Sequence, residues 1–304
     1  MKILITGNAG FIGSHLEKLL TAQGVDVLGY DIARNPAEDV RDLTNVLSHA
    51  QGVDGIVHLA AVSRVKWGFE DPQKCVDVNV LGTTNVLEAA RQIGRAGGKS
   101  PWVTFGSSRE VFGEAKELPA TELTPRIPVN VYGTTKAVGE DLCKAYAQNY
   151  GLRTRVLRFS NVYSAPNDQL DRVTPKFIIL ASKNEPITIN GEGAGVFDFT
   201  YIDDTVQGIY SCIQEVGKDS APAFDDFNLV TGTATTLTEL ADIIKRTMGS
   251  TSPIVNDEAR TYDVNSFYGS PEKASRVLGF RPTTDLQTGI VRVIERLTRA
   301  KVIP

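Results

Sequence analysis

Through the first half of the chain, short runs that are apolar on both faces alternate with longer segments whose apolar positions recur every three to four residues. KILIT (2–6) is followed by FIGSHLEKLLTAQ (11–23), VDVLGY (25–30), GIVHLA (55–60), PQKCVDVNVLGTTNVLEAARQI (72–93) and WVTFGSS (102–108). A strand without a polar face is covered on both sides, so the pattern predicts an α/β fold. The expected form is a Rossmann-type, doubly wound parallel sheet sheathed by helices.

After residue 160 the texture changes. NVYSAPNDQLDRVTP (161–175) and the stretch 249–270 are rich in loop-forming residues and read as substrate-side segments at the carboxyl ends of strands. Helical periodicity returns in VQGIYSCIQEV, TLTELADIIKRTM, PEKASRVLGF and TDLQTGIVRVIERLTRA. The expected division is a cofactor-binding core over 1–160, with segments near 196–230 returning to it. The rest, 161–304, is expected to form a smaller, discontinuous, interleaved substrate-binding region.

Composition narrows the function. The 304 residues are 41% hydrophobic and 22% charged with a net charge of −4, a balance that favours a small-molecule substrate over nucleic acid or a membrane. No run approaches the roughly 18 apolar residues of a membrane span. The amino-terminal apolar run is broken by glycines and reads as a first strand, not a signal peptide. Cys75, Cys143 and Cys212 are scattered without metal-ligand spacing, which suits a reducing cytoplasm and implies no metal site.

Gly7-Asn8-Ala9-Gly10-Phe11-Ile12-Gly13 lies between a strand and an amphipathic helix. Glycines there let the backbone approach a pyrophosphate, and the helix start near Phe11 and Ile12 offers unpaired N–H groups. VDVLGY ends at Tyr30-Asp31, where a carboxylate bonds the adenosine ribose diol and repels a 2′-phosphate, so NAD is favoured over NADP. Arg34 is the opposing signal, since a guanidinium there can meet a 2′-phosphate or lie over the adenine.

Tyr132 and Lys136 open a helical segment at i and i+4, on one face and about one turn apart. The expected effect is an ammonium that lowers the phenol pKa and makes a general base. Upstream, WVTFGSS delivers Ser107 and Ser108 to the carboxyl edge of the sheet, where a hydroxyl can bond the reacting oxygen.

In their order and spacing these segments resemble the extended short-chain dehydrogenase/reductase family, in its nucleotide-sugar epimerase and dehydratase branch, over nearly the whole chain. TGNAGFIGSHL resembles the family's cofactor loop, Asp39-Val40 the pair that contacts the adenine, and HLAA (58–61, with Leu59, Ala60 and Ala61) the strand beside the pyrophosphate. DVNVLGTTNVLEAA resembles the helix carrying a cofactor-side Asn79. GSSREVFG and YGTTK look like the catalytic segments, RFSNVY the strand leading to substrate, and FDFTYIDD and SPEKASRVLGFRP the substrate-region signatures. The resemblance implies catalytic roles for Ser108, Tyr132 and Lys136, contact of Asn161 with the sugar nucleotide and of Arg260 with its diphosphate. Two departures stand out: Phe197 replaces an arginine common among relatives, and RTYDV (260–264) replaces Arg-Pro-Gly-Asp.

The implied reaction is oxidation at C4 of a nucleotide-diphosphate sugar by NAD with Tyr132 as base, then re-reduction from the other face. Glu110 keeps decarboxylation or dehydration open, although Arg109 stands where dehydratases carry an acidic proton donor; the bland reading is a local ion pair supporting the Ser108 loop. Arg109, or Ser63, Arg64 and Lys66 after GIVHLA, can pair with a substrate carboxylate, which would suit a uronic-acid sugar. His58 is expected to be packed or near the pyrophosphate. A catalytically inactive nucleotide-binding regulator is the alternative from another class, opposed by the intact Ser108, Tyr132 and Lys136. Val76, Val80, Leu87, Val138 and Leu142 on the helices 72–95 and 131–150 are expected to include exposed positions that bury a partner in a homodimer.

Overall fold

The structure, a computed structural model, describes residues 1–304 except 192, 219, 259, 261 and 263. Strands β1 (Lys2–Thr6), β2 (Asp26–Tyr30), β3 (Gly55–His58), β4 (Trp102–Ser108) and β5 (Thr154–Phe159) alternate with helices α1 (Phe11–Ala22), α2 (Leu43–His49), α3 (Val65–Glu70), α4 (Pro72–Val76), α5 (Gly82–Arg95) and α6 (Val131–Tyr150). Then follow β6 (Asn161–Tyr163), α7 (Val173–Ser182), β7 (Ile187–Asn190), β8 (Val196–Phe197), β9 (Phe199–Tyr201), α8 (Ile202–Val216) and β10 (Phe224–Leu229). The last elements are β11 (Thr235–Thr236), α9 (Leu237–Met248), β12 (Ile254–Asp257), α10 (Glu272–Leu278) and α11 (Leu286–Arg299).

Six strands form one parallel sheet in the order β10-β5-β4-β3-β1-β2. The order reverses between β1 and β3, and a crevice opens at such a switch point outside the carboxyl ends of the strands. The small pairs β6–β9, β7–β12 and β8–β11 lie beyond the sheet.

Alternation along the strands splits the core in two. Ile3 and Ile5 pack on the side of α1, α8 and α11, whereas Leu4 between them packs with α2 and α5 on the other. Both layers are buried, which accounts for the strands' lack of a polar face.

Two sequence expectations are revised. The segment 72–93 is not one helix, because a π-helical turn, Asp77–Leu81, separates α4 from α5. Leu87 is fully buried between α5 and the sheet and offers nothing to a partner, while Val76 and Val138 are exposed and Val80 and Leu142 half-buried.

Candidate active site

A cleft of about 1100 Å³ follows the carboxyl edge of the sheet from the glycine loop to the segments around Asn161, Thr174 and Arg260. Gly7 has φ +78°, and a Cβ there would lie 2.6 Å from the Ala60 nitrogen, so β1 and β3 meet only because position 7 lacks a side chain. A Cβ on Gly13 would lie 2.2 Å from the Gly7 carbonyl oxygen, which seats α1 directly on the loop. Gly10 is the N-cap and supplies no side-chain cap to the first N–H groups of α1, leaving donors and the helix dipole toward the cleft. Asp31 closes the loop by accepting from Ala9 N (2.9 Å) and Ala33 N (2.8 Å). Gly7, Gly10, Phe11, Ile12, Gly13, Asp31, Asp39, Val40, Leu59, Ala60 and Ala61 all line the cleft. This backbone cradle fits a dinucleotide.

Two expected cofactor residues are placed elsewhere. Arg34 is not in the cleft lining; its guanidinium donates to both Glu17 oxygens (3.2 and 2.8 Å), a nearer anion on α1. Asn79 is buried behind the lining, with Oδ1 accepting from Val62 N and Nδ2 donating to Thr135 Oγ1 (2.9 Å), and braces the loop after β3 against α6.

The start of α6 is set against the end of β4 by two contacts. Asn130 caps the helix by accepting from Gly133 N (2.8 Å), while its Nδ2 donates to Glu110 Oε2 (2.9 Å) and to the Tyr262 carbonyl (3.1 Å). Strand alternation separates Ser107 from Ser108. The Ser107 hydroxyl donates to Glu140 Oε1 on α6 (2.5 Å), whereas Ser108 Oγ accepts from Glu110 N (3.2 Å) and acts to lower the Tyr132 pKa. Tyr132, Lys136 and Ser108 thus line one stretch of the cleft.

The electrostatics differ from the sequence expectation. Lys136 lies with Nζ 6.0 Å from the Tyr132 ring centre, donates one hydrogen bond to the Gly106 carbonyl (2.7 Å) and faces the Phe105 ring. Desolvation dominates the phenol, pushing Tyr132 up to about 12, with Ser108 and Arg172 acting to lower it and Glu110 to raise it. Burial also brings Lys136 down to about 8. His58 is packed, its nitrogens on Thr6 Oγ1 (2.7 Å) and Thr83 Oγ1 (3.1 Å), and burial with the Lys136 charge brings it to about 3.

On the substrate side the structure places Ser63, Arg64, Lys66, Arg109, Glu110, Asn161 and Arg260 in the lining. Glu110 and Arg109 form an ion pair (3.0 Å), and the Arg109 guanidinium lies over the rings of Phe197 and Phe267. Arg64 is held by Asp171 (2.7 Å) and Gln169 (2.7 Å) from the segment after β6. Positions 261 and 263 of RTYDV lie outside the described residues.

A sheet with its switch point at a glycine cradle, and a Ser, Tyr and Lys set on the same cleft, are matched by known proteins. The profile of the NAD dependent epimerase/dehydratase family covers residues 3–229. The chain belongs to that family. This epimerase/dehydratase chain is 34% identical over 308 residues to a Methanocaldococcus jannaschii protein with the provisional name UDP-glucose 4-epimerase, spanning 96% of this chain and 97% of that one. It superposes on the UDP-glucose 4-epimerase of Thermotoga maritima, solved with UDP-glucose, with a TM-score of 0.89 at 26% identity, covering 99% and 100% of the two chains. The UDP-glucuronic acid 4-epimerase of Bacillus cereus, solved with UDP-glucuronic acid and NAD, superposes with a TM-score of 0.86 at 26% identity over 99% and 100%. The chain is thus an NAD-dependent enzyme of the nucleotide-sugar epimerase family.

Sequence reasoning missed several buried polar residues that brace its segments or line the cleft. Asp198 of FDFTYIDD is buried and accepts from Thr231 N (2.9 Å) and Gly232 N (2.8 Å), locking the strand segment 196–201 to the end of β10. Asp204 of the same motif accepts from Thr283 N (2.9 Å) and Thr284 N (3.1 Å), pinning the carboxyl-terminal segment. Buried Asp168 and Thr174 line the substrate arm. An acidic residue inside an otherwise apolar motif was the available signal for Asp198 and Asp204; Asp168 lies in a polar loop and gave none.

Proposed function

We propose that the chain is an NAD-dependent nucleotide-sugar 4-epimerase. The observation that carries this reading is one continuous cleft, with the glycine cradle on one arm, the loops after residue 160 on the other, and Ser108, Tyr132 and Lys136 in its lining. In this reading residues 1–160 hold the cofactor and segments of 161–304 hold the substrate.

Tyr132 takes the proton of the C4 hydroxyl as the 4-keto sugar forms and gives it back when the sugar is re-reduced on its other face. Ser108 Oγ hydrogen-bonds the same sugar oxygen. The chemistry supplied by bound NAD is reversible hydride acceptance, with a positive charge in the oxidised form that opposes the desolvation holding the phenol near 12. Lys136, fixed on the Gly106 carbonyl with Nζ 6.0 Å from the Tyr132 ring centre, adds a second positive charge.

Decarboxylation or dehydration through Glu110 is the weaker reading, because its oxygens already accept from Arg109 (3.0 Å) and Asn130 (2.9 Å). Exposed Val76, Leu81 and Val138 on α4, the π-helical turn and α6 support a homodimer through that face.

The test is incubation with UDP-, GDP-, CDP- and dTDP-sugars, read by mass and proton NMR. A product of unchanged mass with C4 inverted, formed without net consumption of NAD, is expected. Loss of water or carbon dioxide selects the Glu110 reading, and no conversion of any sugar overturns both.

A further inference from the structure

The cleft also carries information on the sugar it takes. Four residues of its lining each hold a buried polar atom without a hydrogen-bond partner among the described residues: Arg109 Nη1, Tyr163 Oη, Asp168 Oδ2 and Thr174 Oγ1. The Asp168 side chain is 1% exposed. Folded proteins leave few such atoms, because each forfeits its hydration without return. One N–H donor, one carboxylate oxygen and two hydroxyls are the complement of a polyhydroxylated ring, whose hydroxyls both donate and accept.

The charges around these atoms are already balanced. Arg109 lies 3.0 Å from Glu110, Arg172 lies 3.5 Å from Asp168 and Arg64 lies 2.7 Å from Asp171. A carboxylate brought among these arginines would compete with an intramolecular acid for each one and face the unpartnered oxygen of Asp168. Asp168 and Arg172 line the same cleft as Tyr132. Burial raises the Asp168 carboxyl, while Arg172, the Gln169 and Ser164 N–H groups and Arg64 act to hold it charged, and a sugar hydroxyl would add to them.

We propose that Asp168 is a specificity-determining residue that accepts a hydrogen bond from a hydroxyl of an uncharged hexose and turns hexuronates away. This inference rests on the nucleotide-sugar reading above and names the sugar class within it.

The test compares UDP-glucose with UDP-glucuronate on the NAD-loaded wild type, Asp168→Asn and Asp168→Ala, by turnover and by calorimetric binding. The wild type is expected to favour UDP-glucose by about tenfold or more in kcat/KM and in affinity. Each substitution is expected to shrink that preference by about tenfold, raising KM for UDP-glucose while kcat changes by about threefold or less. Asp168→Asn keeps the side-chain shape, so a folding defect confined to the alanine variant leaves the test intact. A wild-type preference for UDP-glucuronate, or a preference that both variants keep within about twofold, overturns the role of Asp168. Where the panel above selects another nucleotide, the same pair of sugars is offered on that nucleotide. Failure of the wild type to bind any sugar of the panel overturns the broader functional reading instead, and binding without turnover still decides the matter through the affinity ratio.

Discussion

Gly133 stands so close to Glu110 that a Cβ on it would lie 2.5 Å from the Glu110 carbonyl oxygen. This contact seats the first turn of α6 on the 3-10 turn Arg109–Val111 and so sets Tyr132 beside Ser108. Gly133→Ala must push the helix away from the strand end. The expected result is a loss of about 1–3 kcal/mol in urea unfolding, as for other overpacked sites. Turnover should fall by about tenfold or more, since about an ångström of misplacement at reacting groups costs more than the lost stability does. Unchanged kcat in a folded Gly133→Ala protein would contradict the positioning argument.

Tyr132→Phe removes the proton acceptor and little else, because the ring stays buried against Val62 and Cys75. Turnover of the sugar is expected to drop by about 10²–10⁴-fold with binding nearly unchanged, the signature of general acid–base catalysis. Single-turnover kinetics beside calorimetric sugar binding separate the two effects. Equal turnover in the variant and wild type would show that another group takes the proton.

Gly7→Ala tests the cradle. The position has φ +78°, and the added methyl would meet the Ala60 nitrogen at 2.6 Å, so the loop and the β3 end must part. The protein is expected to be purified with NAD content reduced by about tenfold, read from its absorbance spectrum and by enzymatic assay of the released cofactor. A variant that retains NAD like the wild type would remove the glycine loop from the cofactor site.

The fold was legible because its strands are buried on both faces and its helices on one, so period alone separated KILIT from FIGSHLEKLLTAQ. Tyr132 and Lys136 were legible because i and i+4 share a helix face whatever the tertiary structure. Pairings across the chain were not. Arg64 meets Asp171 107 residues away, and no local pattern distinguishes a cation free for substrate from one already held. The Tyr132 pKa also escaped the sequence, since spacing predicts a neighbouring charge while burial, which outweighs it, is a property of the folded whole. The π-helical turn at Asp77–Leu81 keeps helical periodicity on both sides and so left no break to read.

Glu140 on α6 gathers a buried network that crosses to the sheet. It accepts from Ser107 Oγ (2.5 Å) and from Arg158 Nε (2.9 Å) and Nη2 (2.7 Å), and pairs with Arg126 (3.2 Å). Arg158, at 4% exposure, would keep only Asp226 as an ion-pair partner among the described residues if Glu140 were removed. Glu140→Ala is therefore expected to cost about 3–5 kcal/mol, the price of stranding a buried charge. The double variant Glu140→Ala, Arg158→Met should recover part of that loss in urea unfolding, and failure to recover any would mean that Glu140 acts through packing and not through its charge.

His58 gives the fold an acid sensitivity with a defined sign. The imidazole is 1% exposed, neutral between two threonine hydroxyls, and held near 3 against an ordinary value of 6.5 by burial and the Lys136 charge. Between those values the unfolded chain binds a proton that the folded chain refuses. The stability this group contributes is therefore complete above 6.5 and is lost as pH falls through the window toward 3. By pH 5 the loss is about 2 kcal/mol. Urea unfolding at pH 7 and pH 5 should show the wild type losing about that much more than His58→Gln, which has no proton to gain. Parallel losses in the two proteins would mean that the ring takes up its proton in the folded state, and with it that the pocket beneath β3 admits a charge.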